Sequence, residues 1–194
     1  MLTPVRLMTV KELEDYVESP AAGDRGIELI NGQMVEKVPN EEYGDCVVNL
    51  LMALGGFVKP QRLGRLVVEA LYRSPDDEHN AFQPDIAFTS KARQLPLTTR
   101  GAAPIIPDLC VEIKSPGNKV ADLRTKAAYY LAHGGQLVWL VYPKQRIVEV
   151  YARDADVSIL TESEVLTGGA VLPGFELPVR EIFVVDEDAP EIQT

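Results

Sequence analysis

Apolar residues recur along this chain at two periods, and the period changes wherever turn-forming residues intervene. Leu13, Tyr16 and Val17 lie on one face of a short helix over 9–18, opened by the capping box Thr9-Val10-Lys11-Glu12. The run 27–30, then Asn31-Gly32, then 33–38 is the strongest hairpin signal, because Asn-Gly suits a type I′ turn. Val47, Leu50, Leu51 and Leu54 recur at helical spacing from 41 to 58. Glu41 and Glu42 stand at that helix's N-terminus, where its dipole favours negative charge. Strands are predicted over 65–72, 82–89 and 108–114, with polar loops at 19–23 and 74–80. The segment 90–107, rich in Pro, Gly, Thr and Arg, holds at most a short helical turn. A helix over 121–133 ends at Gly134-Gly135. A hairpin of 137–142 with 146–151 turns at Pro143-Lys144-Gln145. Short strands follow at 157–160 and 170–172, then a turn or short helix at 179–183.

From 41 to 142 the order is helix, three strands, helix, strand, which implies an α/β fold with helices packed on the faces of a sheet. It is neither the alternation of a doubly wound fold nor a run of hairpins alone. The 27–38 hairpin is an N-terminal extension of that core. No repeat or linker interrupts the pattern, so 1–185 reads as one domain and 186–194 as an acidic tail.

Composition narrows the class. A hydrophobic content of 46% with 25% charged residues over 194 positions describes a globular chain with one sizeable core. No apolar run reaches the length of a membrane span, and Met1 to Arg6 lacks a signal pattern, so a cytoplasmic protein is expected. Cys46 and Cys110 sit in apolar segments and read as reduced, buried thiols. A net charge of −10 argues against a protein that coats nucleic acid nonspecifically. It leaves a nuclease open. Asp186, Glu187, Asp188 and Glu191 crowd the tail, and a bound cation inverts the field of its own carboxylates. Lys91, Arg93, Arg100, Lys114, Lys119, Arg124 and Lys126 make the middle of the chain its basic region.

The chemistry concentrates in Asp108-Leu109-Cys110-Val111-Glu112-Ile113-Lys114 and in Gln83-Pro84-Asp85. Side chains two apart on a strand share a face, so Glu112 and Lys114 are expected to point the same way. Neighbouring strands lie about 4.8 Å apart, which lets Asp85 and Glu112 share one hard divalent cation if the register allows. Lys114 would then offer positive charge beside an attacking water or a phosphate. From the residues alone, a metal site, a salt-bridged structural cluster and no contact at all remain open. Glu69 could face the same space from the preceding strand.

Pro84-Asp85 with Glu112-Ile113-Lys114 resembles the PD-(D/E)XK nuclease superfamily, and more closely the Uma-two family of restriction-endonuclease-like proteins. The resemblance takes in Ile27-Glu28-Leu29-Ile30-Asn31-Gly32, Pro84-Asp85-Ile86-Ala87-Phe88, Glu112-Ile113-Lys114-Ser115-Pro116, Asp122-Leu123-Arg124-x-Lys126, Tyr130, Gly134 and Trp139-Leu140-Val141. It covers residues 9 to 183. It implies a restriction-endonuclease-like core in which Asp85 and Glu112 bind the metal, with the carbonyl of Ile113 as an extra ligand, and Lys114 is the catalytic lysine. Glu28 matches the acid of the family's N-terminal hairpin, and Lys126 the lysine of the following helix. The chain departs from the family with Tyr43 where a histidine often opens the long helix, and with Tyr142-Pro143 where Asp-Pro often follows the tryptophan strand.

The expectation is a divalent-metal-dependent DNA endonuclease using Mg²⁺, with Mn²⁺ as a substitute. The rivals are a non-catalytic interaction protein that keeps the fold and a metal-dependent hydrolase of a small phosphorylated molecule. Cutting both strands of a duplex is simplest with two centres, so a homodimer is expected. Met34, Val35, Phe175 and Phe183 are the exposed apolar candidates for its interface.

Overall fold

The computed structural model describes residues 6–23 and 26–185, so the predicted tail over 186–194 lies outside the described residues. The elements are α1 (Val10–Val17), β1 (Ile27–Ile30), β2 (Gln33–Glu36), α2 (Glu41–Gln61), β3 (Gly64–Val68), β4 (Ile86–Ser90), β5 (Leu109–Ile113), α3 (Val120–Ala132), β6 (Leu137–Tyr142), β7 (Ile147–Ala152), β8 (Ser158–Thr161), β9 (Val165–Gly168) and β10 (Leu172–Pro178). Strands β3 to β8 form one six-stranded sheet in chain order. All neighbours are antiparallel except β5 and β6, whose parallel pairing needs a crossover, and α3 supplies it.

Both faces of the sheet are covered, which is why β5 and β6 are buried along their whole length. On one face Leu50, Leu54 and Val58 of α2 pack on Phe88, Val111, Ile113, Trp139 and Val141. On the other, Leu123, Ala127 and Tyr130 of α3 pack on Phe82, Cys110, Val138 and Leu140. A third cluster joins α1 to the β1–β2 hairpin through Val10, Leu13, Leu29 and Ala81. Cys46 and Cys110 are both buried free thiols. Among the described residues no helix is long and apolar enough to cross a membrane.

Local chemistry explains the well-defined ends. The Thr9 side chain caps α1, and Glu12 completes the box. Asn31 and Gly32 both take positive φ, 49° and 71°, as a type I′ turn requires. The differences from expectation are equally physical. Helix α2 runs through Pro60 to Gln61, because a proline in the last turn forgoes one bond and the left-handed Arg62 then closes the helix. Strand β3 stops at Val68, where Glu69 turns the chain away with φ 49°. Tyr72 and Phe82, expected inside strands, make only isolated bridges, Tyr72 with both Phe82 and Ala103.

The C-terminal region departs most. Strand β9 was not expected, and β10 is longer than the predicted 170–172. These two strands form a hairpin of their own, outside the main sheet. It carries Phe175 onto Trp139, with ring centroids 5.8 Å apart. Phe175 and Phe183 are therefore core residues rather than exposed interface candidates, whereas Met34 and Val35 are exposed.

Candidate active site

Strands β4 and β5 pair so that Ile86 stands opposite Val111, which sets Asp85 across from Glu112 on the side covered by α3. Both carboxylates are buried and line one small cleft. Asp85 accepts a hydrogen bond from the Ile113 backbone N–H at 2.5 Å through Oδ2. Its Oδ1 is held by the ammonium of Lys37. Glu112 accepts from the Tyr130 hydroxyl at 2.6 Å and from Lys126 Nζ at 3.1 Å. Lys126 and Tyr130 lie four apart on α3, so one helix face delivers both groups.

Glu28 enters from β1 and is buried like its neighbours Ile27 and Leu29. It lies 2.7 Å from Lys126 and accepts the Gln83 backbone N–H at 2.8 Å. The N-terminal hairpin is thereby fastened to the Gln83-Pro84-Asp85 segment. Three buried acids thus meet two largely buried ammonium groups. Burial pushes the Asp85 carboxyl up to about 6, and the charge of Glu112 adds to this while Lys37 opposes it. Glu28 is raised in the same way, with Lys126 opposing. Burial works against the ammonium of Lys126, but Glu112 and Glu28 outweigh it and its pKa rises. For Lys37 burial is likewise outweighed, chiefly by Asp85.

Lys114 takes a different course from the expected one. Strand alternation ends at Ile113, and the chain turns through Ser115, whose N–H and hydroxyl both donate to Asn118 Oδ1. Ser115 lines the cleft with the acids, while Lys114 faces an adjoining depression shared with Glu42 and Lys144. Its ammonium donates to the Ser115 carbonyl at 3.2 Å. The structure therefore brings together Glu28, Asp85, Glu112, Ile113 and Lys126 and leaves Lys114 at the edge.

Lys37, Tyr43 and Glu69 complete the cleft. The Tyr43 hydroxyl donates to Glu69 at 3.3 Å and also faces Asp85. Tyr43 is the position at which the resemblance implied a histidine. Tyr130 was legible in principle as the residue one turn beyond Lys126. No local signal marks Lys37, whose contact with Asp85 spans 48 positions. Arg124 is paired with Glu149 on β7, which accepts from its Nε at 3.1 Å. The Glu149 carboxylate also accepts from Tyr142 and Tyr151.

Two carboxylates and a backbone carbonyl are hard oxygen donors and fit Mg²⁺ or Mn²⁺ in kind. The ammonium groups of Lys37 and Lys126 stand where a cation would be held. Among the described residues no group of three or more His, Cys, Asp and Glu side chains is placed to hold a metal ion. Any metal would rest on the Asp85–Glu112 pair.

Comparison with known proteins places this architecture. No curated protein matches the chain. A crystal structure of "a putative nuclease belonging to DUF820 from Anabaena variabilis ATCC 29413" shares the fold, with a TM-score of 0.77 at 22% identity over 91% of this chain and 97% of that one. A DrdV–DNA complex solved by cryo-electron microscopy is matched over 62% of this chain and 83% of that one, at 13% identity and a TM-score of only 0.33. A family model described as "Putative restriction endonuclease" matches residues 13–180. With the fold and nearly the whole length in agreement, the chain belongs to this family, Uma2.

Proposed function

We propose that the protein is a divalent-metal-dependent endonuclease that hydrolyses DNA phosphodiester bonds at the Asp85–Glu112 cleft. The observation that carries this reading is the register of β4 against β5, which sets two buried carboxylates of adjacent strands into one cleft. Asp85, Glu112 and the Ile113 carbonyl would hold Mg²⁺ or Mn²⁺. Such an ion supplies a Lewis acid for the phosphate and lowers the pKa of a bound water. The chain's own residues do the rest. Tyr130 and the Ile113 N–H fix the orientation of the two acids. Lys126 is the buried amine of the site, and Glu28 positions it. Lys114, with Lys144 beside it, faces the depression next to Ser115 and suits the phosphate flanking the scissile one.

The test is cleavage of plasmid DNA by the purified chain with Mg²⁺ or Mn²⁺, beside Asp85→Asn and Glu112→Gln. Both variants should lose at least about a hundredfold in rate, in line with the loss of one preorganised electrostatic group. Cleavage by either variant at the rate of the unmodified protein would end the reading. A second reading, hydrolysis of a small phosphorylated molecule, draws on a cavity of about 450 Å³ that adjoins the cleft at Lys126 and Asn118 and is walled by Phe82, Leu123 and Tyr129. That size suits a small ligand. Release of phosphate from mononucleotides with intact plasmid would select it.

A further inference from the structure

We propose that Lys37 is a tethered cation that occupies Asp85 until a divalent ion takes its place. This deepens the preceding reading and rests on Asp85 as a metal ligand.

The two ammonium groups of the site are held differently. Lys126 has two acid partners, Glu28 at 2.7 Å and Glu112 at 3.1 Å, and its side chain is only 6% exposed. An ion that drew Glu112 away would leave Lys126 paired with Glu28. Lys37 has one acid partner among the described residues, Asp85, and its side chain is 17% exposed. Its other bond is to the Gln83 carbonyl at 2.9 Å. The other Asp85 oxygen already accepts the Ile113 N–H, so the oxygen held by Lys37 is the one a cation would take without disturbing that bond. An ammonium and a divalent ion cannot share that oxygen without like-charge repulsion in a buried place. The ion therefore displaces Lys37.

The displaced ammonium does not leave the cleft. Lys37 lies one residue beyond β2, and Glu28 on the paired strand β1 fastens that hairpin to Gln83. The Gln83 carbonyl remains its partner, and Tyr43, Glu69 and Ser115 line the same space. There the released ammonium meets an anionic oxygen of the substrate. One residue thus stabilises the metal-free fold and becomes an anion-binding group once the metal is present. Lys114 cannot do this from the neighbouring depression.

The experiment is calorimetric titration of the purified chain with Mn²⁺ alone, comparing the unmodified protein with Lys37→Met, Lys37→Gln, Asp85→Asn and Lys59→Gln. Removing the resident ammonium should tighten Mn²⁺ binding about tenfold or more, the worth of one charge-assisted hydrogen bond. Lys37→Gln keeps a donor without the charge and serves if Lys37→Met does not fold. Lys59→Gln removes the same charge from the exposed end of α2 and should leave the affinity unchanged. Mn²⁺ binding that depends on Asp85 but is no tighter in either Lys37 variant overturns the proposal and leaves the metal reading standing. Equal tightening in Lys59→Gln overturns it as well, because general charge would then explain the effect. No Mn²⁺ binding by any variant overturns both.

Discussion

Lys126 on α3 holds Glu112 on β5 at 3.1 Å, with both side chains buried. That contact joins a helix to the strand it covers, and Glu28 extends it to the N-terminal hairpin. Removing the lysine leaves two buried acids without a countercharge. Lys126→Met should therefore cost about 3–5 kcal/mol of stability, the usual consequence of breaking a buried pair from one side. Urea unfolding measures it. Glu28→Gln combined with Lys126→Met should cost less than the two single changes added together, because they remove parts of one network.

Metal should stabilise the fold if the cleft binds it. A cation that binds only the folded state adds stability by mass action, about 2.7 kcal/mol at a hundred times its Kd. Differential scanning fluorimetry should show the melting temperature rising with added Mn²⁺ or Mg²⁺. The rise should vanish in Asp85→Asn. A melting curve unchanged up to millimolar metal counts against the site.

Acid should unfold the protein through Asp108 and Glu149. Burial works against both charges, but the Ser90 N–H and Arg93 outweigh it at Asp108, and Arg124 with two tyrosines outweighs it at Glu149, so both pKa values are lowered. A lowered folded value gives stability that is present above the unfolded pKa, roughly 4, and is lost as pH falls through the folded value. Asp85 carries the opposite sign. Its folded value of about 6 means that ionisation opposes folding as pH rises through the window from about 4. In urea midpoints taken from pH 7 down to pH 3, Glu149→Gln should be less stable at pH 7 and show a shallower acid loss. Asp85→Asn should lack the decline between about pH 4 and 6.

The homodimer remains a proposal, with the hairpin as its surface. Every residue of β2 is exposed, and among the described residues β2 pairs only with β1, so β2 offers its other edge to another chain. Met34 and Val35, 44% and 37% exposed, lie on that strand. Light scattering at micromolar concentration should give twice the mass of the chain, and Met34→Glu with Val35→Glu should return the monomer. A monomeric unmodified protein would refute it.

Patterns short in sequence account for most of what could be read from the chain alone. The α2 and α3 helices, the β1–β2 hairpin and the order of the core depend on periodicity, capping and Asn-Gly, which act within a few residues. The meeting of Asp85 and Glu112 was foreseeable because each sits in a strand and strand spacing is constant, although only the pairing of Ile86 with Val111 sets the register. The amines were another matter. Lys114 shares the parity of Glu112, but β5 ends one residue before it, and the turn into Ser115 redirects it. Lys37 reaches Asp85 because the hairpin docks beside Gln83, through Glu28 across 55 positions and through the Leu29–Ala81 backbone bonds. Phe175 is core rather than surface because its hairpin folds onto Trp139. Sequence by itself therefore determined the order of the core elements and the strands that carry the acids, whose placement is local. Tertiary docking decided which cations answer those acids, since a buried charge takes whatever partner the packing brings within reach.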